Sequence, residues 1–301
     1  MGPDLDDADG VGDGVLATPV RPRAQIVTIY GLFARGVGGW ISVGSLIQMM
    51  ARLGVDEPAV RSAVSRLKRR GLLDPERRAG RAGYALSAVA REVLAEGDRR
   101  IFARTRASLE EGWVLAVFSV PETERHKRHT LRSRLRWLGY GTVGGGVWVA
   151  PGHLADETRT VLGRLGLADY VDLFRADYLG YKDLRAEAAT WWDLDGLDAL
   201  YREFDDTFGP ALARWKHAEG DGVSGGGSPD DGAAFADHVA AVTAWRRLPF
   251  LDPGLAPELL PGDWMGTQAA DTFHELHHRL QQPSQRFAAS LVTSTRLPSS
   301  A

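Results

Sequence analysis

The stretch from Asp56 to Gly71 reads DEPAVRSAVSRLKRRG, and it predicts a helix with a defined beginning and end. Asp56 has the side chain of an N-cap, Pro58 fits the first turn, and Gly71 fits the position just after a helix. Apolar residues recur at the i, i+4 and i+7 spacing, which predicts a buried stripe formed by Val60, Val64 and Leu67. The opposite face of the helix is therefore polar.

Positive charge is concentrated in and just after this helix. Between Ala59 and Arg81 there are eight basic and two acidic side chains, a surplus of six, in a chain with a net charge of -3. Lys and Arg bind a duplex largely by displacing its counterions, so this surplus is typical of a nucleic-acid interface. A solvated basic face of a helical bundle is the alternative. The residues predicted to contact DNA are Arg61, Ser62, Ser65, Arg66, Lys68, Arg69, Arg70, Arg77, Arg78 and Arg81.

The neighbouring segments predict a winged helix-turn-helix over residues 23–96. A first helix is predicted at Ile26–Phe33 and a second at Ile41–Leu53, with Ser42 as its cap. The basic helix follows, and then a hairpin that turns between Arg77 and Gly80. In such a domain the last helix enters the major groove, so we expect four residues nearest the base edges, Arg61, Ser62, Ser65 and Arg66. The remaining basic residues should contact phosphates or the minor groove.

The composition of the chain limits the classes of protein to which it can belong. Its 301 residues, 44% hydrophobic and 25% charged, fit two or three ordinary domains. The absence of Cys excludes disulfides and thiolate chemistry. We find no targeting or membrane-spanning pattern and expect a cytoplasmic protein. Residues 1–22 carry five aspartates among glycines, which predicts a disordered acidic tail that competes weakly with DNA for the basic face.

Two further domains are predicted behind the first. In residues 97–182 a buried strand at Trp113–Val120, a basic helix, a glycine turn between two strands, a second helix and a last strand follow the ferredoxin-like order. Residues 183–301 predict a helical domain with a flexible insertion at 218–232. Its last helix is predicted at about Gln268–Gln281, with little periodicity after Pro283. The predicted fold class is α+β.

The chain resembles the PaaX-like repressors, which regulate phenylacetic acid degradation, from about Arg23 to Gln282. The resemblance rests on stretches in all three segments. They are Trp40–Ser42, Glu57–Leu67, Gly71–Leu73, Phe118–Glu122, Leu131–Arg132, Leu138–Gly141, Val147–Pro151, Trp192–Leu194, Tyr201–Phe204, Leu248–Pro253, Leu259–Pro261 and Trp264. The acidic tail and the glycine-rich insertion near Gly225 depart from the family pattern.

The resemblance implies a homodimeric, non-enzymatic repressor without a cofactor. It implies a pseudo-palindromic operator and release from DNA by an aromatic acyl-coenzyme A, such as phenylacetyl-coenzyme A. Family members differ in effector, so the acyl group stays open. The effector residues we predict are Arg128, Arg132 and Trp192: two arginines four apart for one phosphate, and a tryptophan for the aromatic acyl group. The alternative for the tryptophans is that they pack in the core. The alternative for the basic helix is that its side chains are solvated or pair with acidic residues across a dimer.

Two enzyme classes remain as alternatives. His274-Glu275-Leu276-His277-His278 matches the HExxH pattern of zinc hydrolases, but no His, Asp or Glu follows His278 to supply a third ligand. The central segment also resembles small CRISPR-associated endoribonucleases, whose first strand ends in a metal-binding Asp. Here that strand ends in Ser119-Val120-Pro121, without a carboxylate for a divalent cation. We expect neither activity and no metal site.

Overall fold

A computed structural model describes residues 21–103, 106–221 and 230–293. Most of the predicted acidic tail, the centre of the predicted insertion and residues after 293 lie outside these ranges. The chain forms eleven α-helices and seven strands within the described residues, in two antiparallel sheets, which confirms the α+β class.

The helix α3 spans Glu57–Arg69. Its N-terminus is capped as predicted, because the Asp56 carboxylate accepts a hydrogen bond from the Ala59 amide at 2.8 Å. Gly71 adopts a φ of +69° just beyond the other end. The amides of Gly71 and Leu72 donate to the carbonyls of Lys68 and Leu67, which is the Schellman arrangement. Both ends of α3 are thus fixed by residues next to it in sequence.

Helices and a small sheet surround α3. The elements are α1 Pro22–Ile29, a π-helical turn Tyr30–Ala34, a 3-10 turn Arg35–Val37, β1 Trp40–Ser42, α2 Val43–Ala51, β2 Leu73–Arg78, β3 Arg81–Leu86 and α4 Ala88–Phe102. The strands are ordered β1-β3-β2 and are antiparallel. The β2–β3 turn is formed by Ala79 and Gly80, both with positive φ, as a two-residue hairpin turn requires.

The second helix begins two residues later than predicted. Trp40, Ile41 and Ser42 form β1 and pair with Ala85, Tyr84 and Gly83 of β3. Gly83 makes the pairing possible, because a Cβ there would collide with the Trp40 ring and the Ile41 carbonyl. Ser42 still caps α2, since its hydroxyl accepts a hydrogen bond from the Ser45 amide at 3.0 Å.

A second sheet has four antiparallel strands in the order β5-β6-β4-β7. Its elements are β4 Trp113–Phe118, α5 Arg125–Trp137, β5 Gly141–Gly144, β6 Val147–Pro151, α6 Ala155–Arg164 and β7 Val171–Ala176. Short 3-10 turns lie at Leu109–Glu111, Glu122–Glu124, Gly152–Leu154 and Ala168–Tyr170. One face of the sheet packs Val114, Ala116 and Trp148 against Leu131 and Leu135 of α5.

The remainder of the chain is helical. It comprises α7 Leu184–Trp191, α8 Leu194–Asp221, α9 Asp231–Trp245, α10 Leu248–Leu251, a 3-10 turn Pro257–Leu259 and α11 Gly266–Thr293. The prediction that helix ends before Pro283 was wrong, because α11 continues through Pro283. Leu280, Phe287 and Leu291 repeat at helical spacing across the proline and are buried or half-buried, so packing keeps this part helical.

Contacts divide the chain into two compact units. One contains Arg99–Tyr201 and Arg247–Gly266; the other contains the described residues of Gly2–Asp98, Arg202–Arg246 and Thr267–Ala301. In the second unit, Phe235 and Val239 of α9 and Ala288 of α11 share one hydrophobic core with Val60 and Leu67 of α3. The N-terminal segment is thus packed on helices that lie far from it in sequence, a pairing absent from the predicted domain boundaries.

Candidate nucleic-acid interface

The helix α3 presents two chemically distinct faces. Val60, Val64 and Leu67 are at most 5% exposed, as the apolar spacing predicts, and Ala63 is buried beside them. Six of the ten residues predicted to contact DNA lie exposed on α3: Arg61, Ser62, Ser65, Arg66, Lys68 and Arg69. Arg70 and Arg81 are half-buried, Arg77 is exposed, and the Arg78 side chain is 41% exposed. The geometry thus gathers donors on one open helix face next to a hairpin.

Arg61 forms an ion pair within α3. Its Nε donates to Glu57 Oε1 at 2.7 Å, one helical turn away. Both side chains are at least half-exposed, at 61% and 50%. Exposed pairs of this kind contribute little stability, so a phosphate or base edge can replace the carboxylate at small cost.

Two arginines of the β2–β3 hairpin have partners inside the protein. Arg78 Nε donates to Glu76 Oε1 at 2.6 Å, and its guanidinium lies 5.7 Å from the centre of the Trp40 ring. This hydrogen bond lowers the pKa of the Glu76 carboxyl below its usual value. Arg81 donates to the Ser42 hydroxyl at 2.8 Å. Both arginines therefore fasten the hairpin to β1 and the start of α2.

Arg77 lies near the tip of the same hairpin. Its guanidinium donates to the Gly80 carbonyl at 2.8 Å, which holds the side chain across the turn. It is exposed, unlike Arg81. Of the three predicted hairpin residues, Arg77 is thus the one most open to a phosphate.

Residues outside the predicted set position this surface. The Ser45 hydroxyl at the start of α2 donates to the Leu291 carbonyl at 3.1 Å, and the Thr243 hydroxyl donates to the Thr28 hydroxyl at 2.9 Å. Arg35 makes a bidentate pair with Asp98, at 2.6 and 2.8 Å. These partners lie far apart in sequence, so no local pattern indicated them.

Three family models match consecutive parts of the chain. They are described as "PaaX-like protein" over residues 21–90, "PaaX protein central Cas2-like domain" over 106–188 and "PaaX-like protein C-terminal domain" over 192–290. The chain belongs to the PaaX-like family. The curated "Transcriptional repressor PaaX" of Escherichia coli (strain K12) is 28% identical over 281 residues, which cover 91% of this chain and 85% of that protein.

A solved structure shows a similar fold. The "Uncharacterized protein Rv0674 from Mycobacterium tuberculosis" superposes with a TM-score of 0.58, at 23% identity, over 88% of this chain and 98% of its own. At this identity the likeness concerns the fold alone. The relationship to a transcriptional repressor supports a non-enzymatic regulator and not a cofactor-dependent enzyme.

The predicted effector residues of this PaaX-like protein do not converge on one open site. Trp192 is 9% exposed; its indole donates to the Gly139 carbonyl at 2.9 Å and stacks on Trp113. Arg128 donates to the Val120 carbonyl at 2.7 Å and pairs with Glu122 at 3.0 Å. Arg132 is exposed on α5. Trp192 thus packs in a core, and Arg128 holds the start of its own helix.

The HExxH stretch lies in the middle of α11. Glu275 is held by Lys216 at 2.7 Å and Arg279 at 2.8 Å, and these hydrogen bonds lower its pKa. His277 is half-buried and hydrogen-bonds His238 of α9 at 2.9 Å between ring nitrogens. Among the described residues, no group of three or more His, Cys, Asp or Glu is placed to hold a metal ion. The stretch therefore serves packing and ion pairing.

No helix within residues 21–103, 106–221 and 230–293 combines the length and apolar character needed to cross a membrane.

Proposed function

We propose that this protein is a DNA-binding transcriptional repressor that acts as a homodimer in the cytoplasm. The observation that carries the proposal is the open polar face of α3, capped at both ends and backed by a continuous core, in a chain related to a transcriptional repressor. A rigid helix with serines and arginines on one exposed face suits entry into a major groove.

The N-terminal part of the proposal is a winged helix-turn-helix. Helices α2 and α3 form the helix-turn-helix, and the β2–β3 hairpin forms the wing. Arg61, Ser62, Ser65 and Arg66 read base edges, and the other cations bind phosphates or the minor groove. Arg78 and Arg81 also hold the wing in place, so their replacement weakens binding to all sequences.

The central part of the proposal is a ferredoxin-like domain that serves dimerisation. Two observations support it: the elements follow the order β4-α5-β5-β6-α6-β7, and the four antiparallel strands are arranged β5-β6-β4-β7. A two-fold dimer would place two α3 helices on half-sites one or more helical turns apart, on a pseudo-palindromic operator.

Effector release completes the proposal. The family resemblance indicates an aryl-acyl-coenzyme A, such as phenylacetyl-coenzyme A. Arg132 is the most open of the three predicted effector residues. Arg128 and Trp192 would join it only after a rearrangement that releases their present partners.

The operator test begins with selection of bound duplexes from a random library, followed by footprinting. Two protected half-sites related by a dyad are expected. Arg66→Ala should cost about 1–3 kcal/mol of binding free energy and relax the base preference at one operator position. Arg78→Ala should weaken binding to all sequences alike. Equal loss on every sequence for both variants would overturn the assignment of α3.

The effector test uses the selected operator at fixed salt. Phenylacetyl-coenzyme A and other aryl-acyl-coenzyme A compounds should release the protein, while free coenzyme A and acetyl-coenzyme A should not. Absence of release by every aryl compound would refute the effector and leave the repressor role standing.

A further inference from the structure

The helix α5 carries a row of exposed basic residues, three arginines and a histidine, that the proposed α3 interface does not use. Arg125, His129, Arg132 and Arg136 are spaced at i, i+4, i+7 and i+11, and all four are exposed. Residues at this spacing share one side of a helix. Because the row covers eleven steps of 1.5 Å, it is roughly 16 Å long. We call these four residues the α5 ridge.

The charge of the ridge is not balanced by acids on its own helix. No Asp or Glu occurs between Arg125 and Tyr140. The two acidic residues just before the helix form ion pairs with residues outside the ridge. Glu122 pairs with Arg128 at 3.0 Å, and Glu124 pairs with Lys127 at 2.7 Å. Both pairs lie at the first turns of α5, beside the ridge.

The buried side of α5 fixes the ridge in place. Leu131, Leu135 and Leu138 are fully buried in the core of the sheet. The helix ends with the amides of Gly139 and Tyr140 bonded to the carbonyls of Arg136 and Leu135. Arg136 also lies over the Trp148 ring, 5.8 Å from its centre. The ridge side chains are therefore presented on a rigid support.

We infer that the α5 ridge binds the phosphate backbone of duplex DNA, outside the bases read by α3. A compact phosphate ligand needs donors that converge in a concave site, whereas the ridge spreads along a convex helix. The unit has a cavity of about 580 Å³, but its lining comes from β4, α6, β7 and the segment before β7, and no α5 residue takes part. An extended polyanion better matches arginines spaced along a straight helix.

This inference rests on the proposed DNA-binding function and extends its footprint. The ridge carries arginines and a histidine, without short side chains that would let the helix backbone approach base edges. The ridge therefore adds affinity without sequence preference. The salt slope is the fall in the logarithm of the binding constant per unit rise in the logarithm of the salt concentration. Each phosphate that the ridge neutralises should increase this slope by about 0.9.

The test uses the full chain and a random-sequence 40-bp DNA duplex, titrated between 50 and 200 mM NaCl. The ridge variant combines Arg125→Gln, Arg132→Gln and Arg136→Gln. Loss of three phosphate contacts should lower the salt slope by roughly 2.7, so the affinity change over this range should shrink on the order of 40-fold. The corresponding Arg→Lys variant keeps the charges and should keep the slope.

A matched control separates the effect of losing the ridge arginines from the effect of lowering the net charge of the protein. Arg159, Arg175 and Arg185 are exposed in the same compact unit, and their replacement by Gln removes the same charge. The control should retain the wild-type slope. An equal drop in the control, or an unchanged slope in the ridge variant, overturns the inference. The same titration is run with a 40-bp RNA duplex and with phosphatidylserine vesicles. The inference is also overturned if the ridge variant loses affinity only for one of these and keeps its affinity for the DNA duplex.

The same titration distinguishes failure of the ridge from failure of the proposed function. A variant combining Arg61→Gln, Arg66→Gln and Arg69→Gln should lose duplex affinity through α3. If it does and the ridge variant does not, only the ridge is refuted. If the wild-type chain binds no duplex at any salt, both proposals fall. Thermal unfolding of each variant confirms that it remains folded.

Discussion

The two basic helices α3 and α5 are both 13 residues long, yet they differ in what their exposed faces can reach. Ser62 and Ser65 lie between the cations of α3, so the helix backbone can approach a groove closely. On α5 the ridge positions carry arginine or histidine, which hold the backbone away from a surface. With similar charge, α3 therefore suits the proposed base recognition and α5 the proposed phosphate contact.

The helices also differ at their first turns. Asp56 caps α3 with its side chain, whereas the residue before α5, Glu124, makes no capping hydrogen bond and binds Lys127 instead. A glycine with positive φ follows each helix, Gly71 after α3 and Gly139 after α5. Helix α3 thus has both ends fixed locally, while α5 relies more on its buried leucines.

The largest effect is expected from a negative charge in the middle of each exposed face. Ser65→Glu should weaken operator binding by about 100-fold, because a carboxylate would be held against DNA phosphates and base acceptors. His129→Glu, at an exposed position in the α5 ridge, should weaken it only severalfold, since the charge would be screened by solvent at a looser contact. Gel-shift affinities of the two variants at one salt concentration measure the difference. Equal losses would remove the distinction between the helices.

Acid should destabilise the core behind α3 through a buried histidine. Burial, and secondarily the neighbouring His277, lowers the pKa of His238 to about 3 from an ordinary value of 6.5. The unfolded chain therefore binds a proton as pH falls below 6.5 while the folded chain does not, so stability is lost on acidification. Between pH 7 and 5 the free energy of unfolding should fall by about 2 kcal/mol from this group.

Urea unfolding at several pH values measures this slope. In His238→Gln it should become shallower between pH 7 and 5, whereas His278→Gln, at an exposed position on α11, should keep the wild-type slope. The prediction concerns the slope, because a lower stability at all pH values would only report the altered packing. An unchanged slope in His238→Gln would show that another group takes up the proton.

The smallest effect separates the two terminal glycines. Gly71→Ala should cost about 1 kcal/mol from positive φ alone, since the space around Gly71 is open. Gly139→Ala should cost about 2 kcal/mol, because its Cβ would also lie 3.2 Å from the Pro253 Cα. Denaturant midpoints of both variants give the comparison. A larger loss at Gly71 would mean that the end of α3 is more constrained than its surroundings indicate.

Features set by neighbouring residues were predictable from the sequence. The cap at Asp56, the stop at Gly71 and the buried stripe of α3 each depend on spacings of a few residues. The exposure of Arg66 followed from the same periodicity. These local rules sufficed to locate the candidate interface.

Features set by distant residues were not predictable. The strand β1 exists because Trp40–Ser42 pair with β3 about forty residues later, and α2 therefore starts after it. The end of α11 is helical because Phe287 and Leu291 pack against the N-terminal core, which outweighs the break expected at Pro283. Likewise, the partners of Arg81 and Ser45 are tertiary contacts without a local signal.

The core that backs α3 has a consequence for biosynthesis. It is completed by Phe235 and Val239 and by residues of α11 as late as Val292. A ribosome releases the chain in order, so the N-terminal segment must wait for more than 190 residues of further synthesis before its core can close. A nascent or prematurely terminated chain would thus lack the finished core behind α3, and the proposed operator binding is expected only of copies that include α11.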